Sequence, residues 1–116
     1  DLGLWKDEHI EGLARVTRFI HEQGGTAGIQ LAHAGRKASM RRPWAPEPGV
    51  ATDEEGGWAG DVWGPSAVPF DEGFPLPHEM TVAEIGAVTE AFVAATRRSL
   101  QAGFRVVEVH AAHGYL

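Results

Sequence analysis

Cysteine is missing from the sequence altogether. That excludes disulfides and thiolate metal sites, and it agrees with a cytoplasmic setting. No apolar run approaches the roughly 20 residues that a membrane span requires, and no signal-peptide pattern opens the chain. Basic residues are scarce, 10 against 16 acidic ones, for a net charge of −6. Short pairs such as Arg36-Lys37 and Arg41-Arg42 are too small to form the basic stripe of a nucleic-acid surface, so that class of partner is excluded. Proline is absent outside one stretch, since all seven prolines fall between His33 and Met80.

What is present is ordinary for a globular protein: 43% hydrophobic and 22% charged residues in a chain of 116, the length of one small domain. Residues 6–23 have helical periodicity. Ile10, Leu13, Thr17 and Ile20 recur on one stripe, which Val16 and Phe19 widen. Asp7, Glu8 and Glu11 suit the positive end of the macrodipole, and Gly24-Gly25 supplies the stop.

Residues 27–32 (AGIQLA) have the short apolar character of a strand buried on both faces. Alternation puts Ile29 and Leu31 on one face, with Gly28, Gln30 and Ala32 on the other. Residues 33–80 then lack sustained periodicity and carry Trp44, Trp58 and Trp63. A loop of that length is most often a lid or a binding loop. Within it, residues 62–70 (VWGPSAVPF) have room for one short strand. Thr81 opens a second helix with a Thr81–Glu84 capping box, a buried stripe of Ile85, Val88, Phe92 and Ala95, and Gly103 as its end. A second strand follows at residues 104–110, with Val106, Glu108 and His110 on one side and Arg105, Val107 and Val109 on the other.

The order helix, strand, long loop, helix, strand indicates βαβ units, a parallel sheet and a right-handed crossover. Two strands cannot bury both faces of such a sheet, so the pattern demands more chain than these residues supply. Ligands of parallel α/β folds bind beyond the carboxyl ends of the strands. The polar residues concentrate there: Gln30, His33, Arg36 and Lys37 after the first strand, and His110, His113 and Tyr115 after the second. Two readings unrelated to the one below are open on these residues. His110 and His113, with Glu108 or Asp71, offer nitrogen and oxygen ligands for zinc in a metal-dependent barrel hydrolase. The three tryptophans alternatively suit a non-enzymatic binding module. His9, His21 and His78 have the character of surface or packing residues.

Four segments occur in order: GIQLAHAGRKAS, WGPSAVPF, P-x-x-M-T opening a helix, and AGFRVVEVHAAHGYL. Together with RRPW at Arg41 to Trp44, they resemble the third and fourth βα regions of the old yellow enzyme family. The likeness is strongest to the bacterial branch that includes xenobiotic reductases. The resemblance implies a partial (β/α)₈ TIM barrel over residues 1–116, an internal fragment with a long active-site loop at about 33–80. It implies FMN as cofactor, NAD(P)H as reductant and reduction of the C=C bond of an α,β-unsaturated carbonyl substrate. By position, Gln30 matches the glutamine that bonds the polar edge of the flavin. His110 and His113 match the pair that holds the substrate carbonyl oxygen. Tyr115 matches the proton donor, with Gly114 allowing the turn that presents it. A cytoplasmic, homo-oligomeric parent is implied as well, and the 116-residue piece alone is expected to bind FMN weakly or not at all.

Overall fold

The computed structural model describes residues 2–116, which separate into two compact units. The first unit comprises the residues up to Ala32 together with Glu84–His110. The second comprises His33–Ala83 and Ala111–Leu116.

The first unit is the regular one. Helix α1 covers His9–Glu22, shorter at its start than its periodicity suggested, because residues 5–8 form bends and turns and Glu8 caps the helix without a side-chain hydrogen bond. Its end follows the expected glycine signal. Gly24 takes φ +82°, and the Gly25 N–H donates to Ile20 O at 2.9 Å, closing the last turn. Strand β1 (Gly28–Leu31) pairs in parallel with the last strand, β4 (Val106–Val109), in the register Gly28 to Val106 and Leu31 to Val109. Backbone bonds from Arg105 N to Ala27 O and from His110 N to Leu31 O extend this ladder at either end. The helix that joins them, α2, covers Val82–Gln101. The helix, strand, helix, strand order read from the sequence is therefore present, with parallel pairing.

Ala27, Ala102 and Phe104 form the buried centre of this unit, and Ile10, Leu13, Ile20 and Ile29 pack against it. Thr17 stands at the middle of the α1 stripe and is buried. Its hydroxyl donates to Ala102 O and stands 3.1 Å from Ala14 O, so the backbone at the end of α2 gains a partner where an apolar side chain would have left a carbonyl unsatisfied. Gly103 ends α2 with φ +90°, and a Cβ there would lie 2.8 Å from the Thr17 hydroxyl, so both the turn and the close approach require glycine. His21 has a packing role, as expected: its Nε2 lies 3.0 Å from Gly103 O and its Nδ1 3.1 Å from Gly25 O.

Two expectations about the stripes need correction. Val16 and Phe19 are exposed rather than buried, since at 3.6 residues per turn they lie about 100° and 200° around α1 from Thr17. Ile85 is also exposed, and Val88, Phe92 and Ala95 are only half-buried. The one fully buried side chain of α2 is Ser99, whose hydroxyl returns to Ala95 O at 2.8 Å.

The second unit has little regular structure and is organised by backbone hydrogen bonds. The short strand expected within residues 62–70 is confined to β2 (Trp63–Gly64), ahead of Pro65. It pairs in parallel with β3 (His78–Glu79), which the sequence did not announce. Three single 3₁₀ turns, at Gly35–Lys37, Asp53–Glu55 and Ala59–Asp61, shape the remainder. Met40 and Val50 form an isolated antiparallel bridge, and the buried Ser39 hydroxyl accepts from Trp58 N at 2.8 Å. At the second 3₁₀ turn, Glu55 accepts from Thr52 N and meets Arg41 Nε at 3.0 Å. The backbone bond first, and the guanidinium second, hold its carboxyl below the usual carboxylate range.

Candidate functional site

Gln30 sits on β1 directly opposite Glu108 of β4. Alternation puts Gly28 and Ala32 on the same face of β1, and Val106 on the same face of β4. All five are exposed, whereas Ile29, Leu31 and Val107 on the opposite face are at least half-buried and Val109, also on that face, is exposed. The face is low, because glycine and alanine flank the amide, and it leaves the amide of Gln30 accessible. His110 follows β4, half-buried, with its N–H tied to Leu31 O at 2.8 Å. Gln30 and His110 thus share the first unit, each fixed by the parallel ladder.

His113 and Tyr115 belong to the second unit. His113 has φ +61° and Gly114 φ +66°, two successive left-handed residues that reverse the chain within one step. Glycine was expected at such a turn. Histidine at positive φ is uncommon and was not read from the sequence. Tyr115 is half-buried beyond the turn, while His113 is exposed.

Opposite this turn lies the 3₁₀ segment Gly35–Lys37. The Arg36 N–H donates to Tyr115 O at 3.0 Å, and Arg36 Nε donates to Gly114 O at 3.1 Å. The Lys37 ammonium lies 4.4 Å from the centroid of the Tyr115 ring and 3.9 Å from that of Phe70. Gly35 has φ +52°, and a Cβ on it would come within 1.6 Å of Tyr115 O, so no other residue fits. Arg36 and Lys37 thus make side-chain contacts to a carbonyl and to aromatic rings.

His33 precedes this segment. Its Nδ1 accepts the Gly35 N–H at 2.9 Å, which leaves the proton of the neutral ring on Nε2. Burial pushes its pKa below 6.5 by disfavouring the charged form. His33 also lines a cavity of about 300 Å³ with Trp58, Asp61 and Trp63, and the Trp63 indole donates to Asp61 Oδ1 at 2.9 Å. Trp44 and Trp58 line a second cavity, of about 540 Å³. Trp44 is 77% and Trp58 54% exposed, so these two rings act as walls rather than as buried anchors of the loop.

Among the described residues no group of three or more His, Asp or Glu side chains is gathered as a metal site would require. No helix is long and apolar enough to cross a membrane.

A family model described as NADH:flavin oxidoreductase / NADH oxidase matches residues 1–116. An NADH:flavin oxidoreductase of Gibberella zeae is 48% identical over 117 residues, covering 100% of this chain and 28% of that protein. An NADPH dehydrogenase of Bacillus subtilis is 45% identical over 116 residues, covering 100% of this chain and 29% of that protein. Among solved structures, the old yellow enzyme homologue from Zymomonas mobilis superposes with a TM-score of 0.74 at 28% identity, over 98% of this chain and 30% of that one. The chain therefore spans less than a third of the length of the relatives it matches. The zinc-hydrolase alternative gains nothing from either the side-chain geometry or these relatives. On a match that runs its whole length, the chain belongs to the NADH:flavin oxidoreductase / NADH oxidase family.

Proposed function

We propose that these residues supply the third and fourth βα regions of a (β/α)₈ barrel in an FMN-dependent ene-reductase, with residues 33–80 as its active-site loop. The observation that carries this reading is the concentration of polar groups at the ends of a parallel strand pair. Gln30 lies on the low, open face of β1, and the segment from His110 to Tyr115 leaves β4 through a double left-handed turn. In barrels of this architecture such strand ends carry the chemistry.

The donor set suits a flavin. A primary amide offers both N–H donors and a carbonyl acceptor, as the alternating polar edge of an isoalloxazine requires. Gly28 and Ala32, sharing its face, leave space for a flat ring. FMN held there, once reduced by NAD(P)H, would supply a hydride for the substrate β-carbon. His110 and His113 hold the carbonyl oxygen of an enone through imidazole N–H groups. Negative charge grows on that oxygen as the hydride arrives, so donors aimed at it stabilise the transition state more than the ground state. Tyr115 delivers a proton to the α-carbon, and one hydride and one proton together saturate the C=C bond.

The test is the visible spectrum of the full-length enzyme under anaerobic conditions. A flavin band that bleaches with NADPH and returns with 2-cyclohexenone is expected, and either His110→Ala or His113→Ala should slow the second step by about 100-fold or more. A colourless protein that does not take up added FMN would overturn the proposal.

A further inference from the structure

Lys37 has no part in the chemistry described so far, yet its ammonium is the charged group set on the face of the Tyr115 ring, 4.4 Å from the centroid. Three consecutive residues grip the same short segment. Gly35 makes room for the Tyr115 carbonyl, Arg36 bonds that carbonyl and the Gly114 carbonyl, and Lys37 covers the ring. The same ammonium lies 3.9 Å from the centroid of the Phe70 ring, a second cation–ring contact that favours this placement of the flexible lysine stem.

We infer that Lys37 is a positioning residue for Tyr115: it fixes the plane of the phenol and stabilises the negative charge left on it when its proton moves to the substrate α-carbon. The inference rests on the reading of Tyr115 as proton donor. A cation within about 6 Å of an aromatic face is attracted to it when the ring is neutral, and more strongly when the ring is anionic. The interaction therefore grows as the O–H bond of Tyr115 breaks and the α C–H bond forms. Such an interaction accelerates a step rather than merely tightening binding. The phenolate regains its proton from water before the next turnover. Arg36 fixes the backbone on which the ring is carried, so the two basic residues divide the task between main chain and side chain.

The experiment uses the full-length, FMN-loaded enzyme and follows its two half-reactions separately, flavin reduction by NADPH and reoxidation by 2-cyclohexenone. Lys37→Met is expected to leave the first within about twofold and to slow the second by about tenfold, equivalent to about 1.4 kcal/mol. Lys37→Arg should recover most of the loss, since a guanidinium also stacks on aromatic faces. The solvent deuterium isotope effect on reoxidation should rise in Lys37→Met, because proton delivery then limits the rate. In a Tyr115→Phe background, Lys37→Met should add nothing, as a residue acting only through Tyr115 must.

If the Met variant folds poorly, Lys37→Gln gives the same comparison. Equal slowing of both half-reactions, or a further loss in the Tyr115→Phe background, would overturn the inference. A Lys37→Met enzyme as fast as the parent beside a slow Tyr115→Phe enzyme would overturn it too, leaving the proton-donor role intact. A Tyr115→Phe enzyme as fast as the parent would show instead that the proton-donor role itself is wrong, and the inference would fall with it.

Discussion

The two units of this chain are held together by different forces. The first packs Ala27, Ala102 and Phe104 under helices and aligns its strands in a parallel ladder. The second relies on backbone bonds, left-handed residues and cations on rings, with Val62 as its one nearly inaccessible large side chain among the described residues. The difference teaches where each kind of change will register. An apolar core responds to lost volume, whereas a hydrogen-bonded turn responds to an added atom or an added proton.

The largest effect is expected in the first unit. Phe104 is 7% exposed, and Phe104→Ala should destabilise the fold by about 3–5 kcal/mol, the usual consequence of emptying an aromatic site in a core. Chemical denaturation measures it. A loss below about 1 kcal/mol would mean that the small apolar cluster does not hold the unit together.

Next is Gly35→Ala in the second unit, where a single methyl would collide with the Tyr115 carbonyl. Displacing Tyr115 by about 1 Å is expected to slow enone-dependent reoxidation of the full-length enzyme by about 100-fold. The denaturation midpoint should move far less than for Phe104→Ala. If the midpoint instead falls as far as it does for Phe104→Ala, the two units are not separable in this way.

The smallest effect concerns His33. Its folded-state pKa is lowered by burial, so in the window just below 6.5 the unfolded chain binds a proton that the folded chain does not. Stability is then expected to fall as pH drops below 6.5 and to be unaffected above it. The Gly35 amide, which donates to His33 Nδ1, should exchange with solvent faster over the same range once the intrinsic pH dependence is removed. An exchange rate that shows no such excess would mean that this acceptor does not hold the turn.

The same contrast explains what was legible in the sequence. Helical period and glycine stops located α1 and α2, and short apolar runs located β1 and β4, because those signals describe burial against a partner surface, and the first unit supplies one. Val16, Phe19 and Ile85 escaped that logic. Periodicity marks them as apolar, and only the arrangement of neighbours decides whether an apolar residue is covered. Gln30, His110, His113 and Tyr115 were visible as polar residues at strand ends and through the motif around them.

The grip of Gly35, Arg36 and Lys37 on Tyr115 was not visible. Its partners are separated by 78 and more positions, and two of its contacts are to main-chain oxygens, which carry no sequence signature. The string HAGRK was conspicuous, but nothing in it names what it holds. The β2–β3 pairing escaped for a related reason: two residues on each side are too few to show a period.

That grip also bears on how such a loop can diversify. With Gly35–Lys37 fastened to the segment beyond β4 and also set against β2, which is itself paired with β3, the stretch between Lys37 and Trp63 becomes an excursion whose two ends are already held. Lengthening an excursion of that kind is cheap in entropy, about 0.6 kcal/mol for each doubling. Residues near Trp44 and Trp58 can therefore be inserted, deleted or exchanged to reshape the two cavities while Tyr115 stays in register. The arrangement separates the part of the chain free to vary from the part that holds Tyr115 in place.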